Sequence, residues 1–308
     1  MSTLSLKGVV ITTLCIASSH FVAAQDWQHD TTDIETIEPI KLKKKKRFGI
    51  VGNGMLYFSW GYNKEWYTRS SLHVSQPSLG NDYTLRRVEA HDNPGWDEDF
   101  FKKELTIPQY NYRLGYFFNE KQDFAFEINF DHTKYIIRDG QIANIRGKYH
   151  GEPVDGDVEF SKQNGFNYYL NNGANFLLFN LVKKFELYKT NNNYLKVDLL
   201  TKAGVGPVIP HVENTLFGDR NKDGFQIGGW NTGIETALKV TVLKYAYLEF
   251  AQKVDYARYS NLRVYEGRAK QSFGTYELIL SLGINFATGK GNPAFARNHN
   301  KPTEAQVN

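Results

Sequence analysis

The sequence predicts an all-β protein: a transmembrane, antiparallel, up-and-down β-barrel of eight strands with a filled lumen. Three observations favour this fold: long segments of alternating apolar and polar residues, connections that are short and long in turn, and an apolar leader. Alternation gives a strand one apolar and one polar face, because successive side chains point in opposite directions. A soluble sandwich also alternates, but the length of the strands and the leader favour a barrel that is apolar outside and polar inside.

The clearest alternation lies in the segment 113–135, which reads RLGYFFNEKQDFAFEINFDHTKY. Two alternating halves flank a polar turn at 119–123, which predicts a β-hairpin. In the second half one face is apolar and the other carries carboxylates and an amide. The apolar face holds Phe124, Phe126, Ile128 and Phe130, and the polar face holds Ala125, Glu127, Asn129 and Asp131.

Residues 1–24 are predicted to be a cleaved signal peptide. Lys7 precedes the apolar run 8–17, and small residues end at Ala24. That run is too short and too interrupted to span a bilayer as a helix. The only cysteine, Cys15, lies inside this leader, so the mature chain can form no internal disulfide. No later stretch of about eighteen apolar residues occurs, so helical membrane spans are excluded.

The remaining chain divides into a periplasmic N-terminal linker (25–47), the barrel (48–286) and a flexible C-terminal tail (287–308). The linker ends in the basic cluster Lys43–Arg47. This cluster is interpreted as a solvated tether, with contact to anionic lipid headgroups as the alternative. A formal net charge of +4 is too small to indicate a nucleic-acid partner.

Seven further segments alternate clearly enough, or are long enough, to be strands beside the hairpin partner at 113–118. We expect short periplasmic turns at 119–123, 191–193 and 243–244 and longer, mobile outer loops, an asymmetry typical of membrane barrels. A ten-strand barrel is the alternative, in which the arm Tyr83–His91 and part of the loop 140–165 join the wall. The expected segments are 48–66, 124–135, 166–187, 194–209, 225–240, 245–259 and 273–286.

The polar faces predict a lumen filled with charged side chains. An eight-stranded barrel is only wide enough for its own side chains. Charges buried there must pair or keep trapped water. We therefore expect a closed ionic plug and no open pore. Its predicted members are Arg113, Glu127, Asp131, Lys196, Asp198, Lys202, Glu235, Lys239, Glu249, Lys253, Asp255 and Glu277.

The alternating strands and the aromatic residue that ends the last of them, Phe286, resemble the small outer-membrane barrels of the OmpA-, OmpX- and OmpW-like group. The resemblance implies an outer-membrane location, contact with lipid and lipopolysaccharide, and insertion by the barrel-assembly machinery. The segments Gly204–Gly206 and Pro210–Glu213 also resemble barrel proteins grouped with lipid A modifiers.

The function expected from these features is non-enzymatic: envelope architecture, or binding of an external ligand or protein through the outer loops. Trp66, Tyr67 and Trp96 are candidates for an exposed aromatic loop surface. The first alternative is an enzyme that modifies lipid A at the barrel rim, and the second is a small-solute channel, which the charged interior disfavours.

The enzyme alternative has few candidate residues. Barrel-type lipid A deacylases carry a His-x-Ser pair on a late strand, whereas the last three predicted strands here contain no histidine. The one His-x-Ser is His73 with Ser75, in the first loop. His211 with Glu213 is a second candidate acid–base or metal pair. The alternative for His211 and Glu213, and the commoner one, is an ordinary pair of polar residues at the barrel rim.

The segment Asp219–Gly224 matches the front half of a calcium-binding loop, D-x-[DN]-x-[DN]-G. Asp219, Asn221 and Asp223 would supply side-chain oxygens and Phe225 a backbone carbonyl. Trp230 stands where the twelfth-position glutamate belongs, so the loop is no EF-hand. An ordinary hairpin tip rich in Asp and Asn is the alternative. No other cofactor is expected.

Overall fold

The structure is a computed structural model that describes residues 54–93, 109–118, 121–170 and 173–288. All of these belong to the compact unit that spans Phe48–Asn308. The predicted signal peptide, the periplasmic linker, Trp96 and nearly all of the predicted C-terminal tail lie outside the described residues. In the described part of the chain, no helix is long and apolar enough to cross a membrane.

The described residues form strands joined by short connections, including the single 3-10 turns Pro77–Leu79 and Lys162–Asn164. In chain order the strands are β1 (Gly54–Tyr67), β2 (Ser70–Gln76), β3 (Asn81–Val88), β4 (Ala90–His91), β5 (Tyr110–Phe117), β6 (Phe124–His132), β7 (Tyr135–Ile137), β8 (Gln141–Tyr149), β9 (Glu152–Phe160), β10 (Asn167–Leu170), β11 (Phe176–Lys189), β12 (Leu195–Val208), β13 (His211–Leu216), β14 (Asp219–Arg220), β15 (Gly224–Phe225), β16 (Gly229–Val242), β17 (Ala246–Val264) and β18 (Gly267–Thr288).

Eight of these strands close into a ring, in the order β1, β5, β6, β11, β12, β16, β17 and β18. Every neighbouring pair is antiparallel, and the pairing of β1 with β18 runs from Gly54 opposite Thr288 to Tyr67 opposite Thr275. The predicted eight-stranded antiparallel barrel is therefore confirmed. We call the end of the ring at Gly54 and Thr288 the inner end and the opposite end the outer end.

The turn between β16 and β17 lies at the inner end, where the sequence predicts a short connection. Leu243 and Lys244 have φ values of 52° and 71°. Positive φ at both central residues is the geometry of a type I′ turn, whose twist matches that of the two strands it joins. The expected hairpin is formed without glycine.

The outer connections differ from the mobile loops that the sequence led us to expect, because most of their described residues are paired in strands. β18 has 22 residues, and its pairing with β1 begins only at Thr275. Its first residues, Arg268–Gln271, pair instead with β2, which continues the sheet through β3, β8 and β9. The arm and the second loop thus extend the sheet without entering the ring, and the ten-strand alternative is wrong.

A second sheet faces this extension, in the order β14, β13, β10, β7 and β4. We call the two layers together, with the outer ends of β17 and β18, the headpiece. Side chains between them form one apolar core that reaches into the top of the barrel through Phe176 and Leu178. The buried residues that this core draws from the two layers include Leu72, Val74, Tyr83, Leu85, Val88, Tyr135, Ile137, Ala143, Ile145, Phe160, Tyr168, Leu170, Val212, Leu216 and Phe273.

The outside of the ring is an apolar belt with aromatic residues at both margins. Exposed side chains in its middle include Leu181, Leu280 and Leu282, which are 53–65% exposed. A belt of this kind facing outward from a closed barrel is the surface that contacts lipid. The outer margin is lined by the ring pairs Trp66–Tyr276, Tyr110–His132 and Trp230–Tyr256, and the inner margin by Phe185, Tyr188, Tyr194, Tyr245 and Phe286.

Candidate functional site

The lumen holds the predicted ionic residues. Eleven of the twelve are at most 4% exposed, and Lys196 is half-buried. Because strand parity sends them inward and the ring is narrow, their charged ends meet near the axis. They divide into a central cluster, an outer cluster and a group near the inner end.

The central cluster surrounds Lys202. Its Nζ lies 3.1 Å from Glu127 Oε2, 3.0 Å from Glu235 Oε1 and 2.8 Å from Glu249 Oε1. Arg113 Nη2 donates to Glu235 Oε2 at 2.8 Å. Tyr57 donates its hydroxyl hydrogen to Glu127 Oε2 at 2.7 Å. Two cations thus share three carboxylates, which is the geometry that a buried charge requires.

The outer cluster surrounds Lys253, directly beneath the headpiece. Its Nζ lies close to Asp131 Oδ2, 3.0 Å from Asp255 Oδ2 and 3.6 Å from Glu277 Oε2. Asn63 donates to Glu277 Oε1 at 2.8 Å. Glu65, which the predicted set omits, is 1% exposed and accepts from Asn63 at 3.3 Å. Its inward parity with Asn63 on β1 is the signal that could have found it.

The inner group differs from the other two. In the described part of the chain, Lys196, Lys239 and Asp198 form no ion pair within 4.0 Å. Lys239 Nζ instead donates to Asn285 Oδ1 at 3.0 Å and lies 3.6 Å from the centre of the Tyr247 ring. The structure therefore does not bring these three into one network with Lys202 or Lys253.

His73 and Ser75 lie on β2 in the headpiece and share a face. His73 Nε2 is 3.9 Å from Asp82 Oδ1, and its Nδ1 is 3.2 Å from Thr84 Oγ1. No hydrogen bond joins Ser75 to the imidazole among the described residues. A hydroxyl nucleophile needs such contact with its base. An acid and a histidine are adjacent here, and the nucleophile is not engaged.

His211 and Glu213 share a face of β13, also in the headpiece. The His211 ring packs edge-on against Phe225, with ring centres 4.8 Å apart. Glu213 lies 3.5 Å from Arg220 Nη2. Each side chain thus has a local packing or charge partner in the headpiece.

The predicted calcium loop lies at the β14–β15 connection. Asn221 is 5% exposed, accepts from the Asn214 amide at 2.8 Å and donates to Val212 O at 3.2 Å. Asp223 accepts from Arg220 at 2.9 Å. Within the described residues no group of three or more His, Cys, Asp or Glu could hold a metal ion.

The two described candidates for an exposed aromatic loop surface, Trp66 and Tyr67, lie in different surroundings. Trp66 belongs to the outer margin of the apolar belt, with its ring centre 5.7 Å from that of Tyr276. Tyr67 packs against Tyr135 and Phe273 in the headpiece core and donates to Lys134 O at 2.8 Å. Both lie where β1 leaves the ring: Trp66 is 41% exposed on the lipid-facing side, whereas Tyr67 packs into the headpiece core.

No protein-family model and no curated protein matches the chain. Among solved structures, it is similar to the outer membrane protein OprG from Pseudomonas aeruginosa (11% identity, 77% of this chain and 97% of that one, TM-score 0.39). It is also similar to Ail of Yersinia pestis, with 14% identity over 76% of this chain and 99% of that one and a TM-score of 0.30. A third similar structure is the outer membrane protease OmpT of Escherichia coli, with 9% identity over 76% of this chain and 96% of that one and a TM-score of 0.34.

These solved structures are outer-membrane proteins, the class that the sequence resembles. At such identities and TM-scores they carry no argument about activity, and the fold assignment rests on the strand pairing itself. The closed eight-strand ring, the ionic lumen and the apolar outer belt together define a transmembrane β-barrel of the outer-membrane type.

Proposed function

We propose that the protein is a closed barrel that anchors a headpiece for binding an external ligand or protein. The observation that carries this proposal is the headpiece itself: two sheets share an apolar core of their own above a lumen filled with ion pairs. A core of this size positions surface side chains far better than separate loops would, and binding sites are held most accurately on rigid elements.

The headpiece exposes apolar side chains that such a partner could cover. Phe225 and Ile227 are 62% and 73% exposed, and Tyr265 is 41% exposed. Gln226 accepts from the Arg263 amide at 3.0 Å, which holds the segment between β15 and β16 beside the outer end of β17. Large apolar side chains left exposed near one another outside the membrane belt favour an interaction surface. This face is the docking surface in the proposal.

The experiment places a photo-crosslinking residue at Ile227 in the protein on intact cells. We expect a discrete crosslinked product that is lost when Phe225→Ser is added. The matched control is the same residue at Leu243, which is 62% exposed but lies in a turn at the inner end. Identical products from both positions, or stepwise ionic conductance of the purified barrel in planar bilayers, would refute the proposal.

A second candidate is an enzyme that edits an outer-leaflet lipid, favoured by the approach of His73 to Asp82 beside Ser75. Against it, His73 pairs opposite Lys270 on β18, six residues above Tyr276 at the margin of the lipid belt. At about 3.3 Å per residue this is roughly 20 Å along the strand. Mass spectrometry of outer-membrane lipids, with the protein and with Ser75→Ala, tests this candidate through a mass change that depends on Ser75.

A further inference from the structure

We propose that the inner mouth of the barrel contains a binding site for a phosphate-class oxyanion, formed by Lys184, Lys196, Lys239 and Lys244. This inference concerns the opposite end of the molecule from the headpiece and does not rest on the proposed function.

The four lysines line one small cavity. It has a volume of about 20 Å³ and is completed by Met55, Gln122, Asp198, Thr241 and Asn285. A cavity needs a volume of about 10–15 Å³ to hold one water molecule. The cavity therefore admits one oxygen of a larger anion while the rest stays in the mouth. Lys244 belongs to the β16–β17 turn, which places the cavity at the inner end of the lumen.

Lysines outnumber carboxylates in the lining of the cavity. Four lysines face one carboxylate, that of Asp198, and in the described part of the chain none of the four has a carboxylate oxygen within 4.0 Å. Their described contacts are with rings and an amide: Lys184 with Phe117, Lys244 with Tyr194, and Lys239 with Tyr247 and Asn285. Deeper in the same lumen, Lys202 and Lys253 each lie within 4.0 Å of three carboxylates.

Asp198 supplies an independent observation. Its side chain is 3% exposed and lines the cavity, yet its Oδ1 has no hydrogen-bond partner among the described residues. A buried carboxylate that faces lysines and is not bonded to them leaves a gap that a bridging group would fill. An oxyanion that carries a proton can donate to Asp198 and accept from the lysines at the same time.

Phosphate fits this donor set best. It carries roughly −1.5 to −2 charges near neutral pH, and lysine ammonium groups bind it as point charges. The protonated oxygen that enters the cavity would donate to Asp198 and accept from the buried Lys239, and the oxygens that stay in the mouth would accept from the half-buried Lys184 and Lys196. The same chemistry is offered by free inorganic phosphate and by the phosphodiester of a lipid headgroup at the inner surface, although the diester has no proton for Asp198.

The test is calorimetric titration of the folded, full-length barrel with inorganic phosphate, in a maltoside detergent and at constant ionic strength. The variants are Lys184→Met and Lys196→Met, both half-buried at the mouth. The matched control is Lys183→Met, which removes the same charge one residue away on the outward face, where Lys183 pairs with Asp123. Repeating the titration in phosphatidylcholine nanodiscs distinguishes the source, because headgroups that occupy the site abolish phosphate binding there.

We expect phosphate to bind and each cavity variant to weaken binding at least tenfold, with no change in Lys183→Met. Asp198→Val is expected to change the pH dependence of binding, because it removes both oxygens that could accept the phosphate proton. Absence of binding by the parent protein in detergent, or equal binding by both cavity variants and the control, would overturn the proposal. Thermal melting of each variant establishes that a loss of binding is not a loss of the barrel.

Discussion

Arg113 on β5 donates a hydrogen bond to Glu235 on β16 at 2.8 Å, although these strands stand four places apart in either direction around the ring. The two residues therefore bridge opposite walls of the barrel, and the axis between them is filled. Both side chains are almost fully buried, at 1% and 2%. Removal of either partner leaves the other buried charge without part of its compensation.

We expect Arg113→Ala to destabilise the barrel by about 3–5 kcal/mol, the usual cost of breaking a buried pair from one side. The matched control is Arg146→Ala, which removes an exposed pair with Asp155 at 3.6 Å and should cost at most about 1 kcal/mol. Urea unfolding in lipid vesicles measures both. The double variant Arg113→Met with Glu235→Gln should lose less unfolding free energy than the sum of the losses of its two single variants. Equal losses of unfolding free energy for Arg113→Ala and Arg146→Ala would contradict the bridging role of Arg113.

The close packing of Tyr57 against Gly115 predicts a sharp difference between two strand glycines. A Cβ at Gly115 would overlap the Tyr57 ring, whereas one at Gly156 would meet nothing within 4 Å. The Tyr57 ring cannot shift freely, because its hydroxyl is bonded to Glu127. We expect Gly115→Ala to cost about 1–3 kcal/mol and Gly156→Ala to be neutral or slightly stabilising. Thermal melting of both variants decides, and equal melting temperatures would show that the ring is not held.

The contents of the lumen could be predicted from sequence because they depend on parity alone. Once Glu127 and Asp131 are assigned to the polar face of an alternating strand, closure of the ring sends them inward. Their partners could not be predicted. Asp131 meets Lys253 across the ring because of the tilt and stagger of the strands, which a one-dimensional pattern does not contain.

The sequence pattern does not predict the headpiece, because its strands are short and their partners are distant in sequence. β2 pairs with the start of β18, nearly two hundred residues away. This pairing is possible only because β18 extends beyond the end of β1. A local signal is present, because Leu72 and Val74, and likewise Ala143 and Ile145, are buried apolar residues two positions apart. A loop that alternates in this way predicts a strand even outside the membrane.

Two buried tyrosines of the headpiece should respond differently to loss of the hydroxyl. Tyr135 and Tyr168 are both fully buried. The Tyr135 hydroxyl bonds to Ser70 and Gln271 at 2.8 Å each, whereas that of Tyr168 has no partner among the described residues. Tyr135→Phe should cost about 1–3 kcal/mol and Tyr168→Phe should be neutral or stabilising. Protease resistance of the headpiece under increasing urea measures the difference, and a larger loss in Tyr168→Phe would contradict the assignment.

The β14–β15 connection is expected to be stable without calcium. Both ends of the Asn221 amide bond to the backbone, so the loop is held by its own side chain. Asn221→Ala should therefore lower headpiece stability by about 1–3 kcal/mol whether calcium or a chelator is present. Calorimetric detection of calcium binding that Asn221→Ala abolishes would reverse this interpretation and restore the metal site.

Alkaline pH should open the headpiece through its buried tyrosines. Burial raises the pKa of Tyr83 and of Tyr168 above the ordinary value near 10. Since the folded state keeps these protons, their contribution to stability is complete below about pH 10 and falls as the pH rises from there toward the folded pKa. Each such group adds about 1.4 kcal/mol per pH unit to the slope in that range. Tyr168→Phe should therefore have a shallower fall of protease resistance above about pH 10 than the parent, and an unchanged slope would show that Tyr168 ionises without opening of the headpiece.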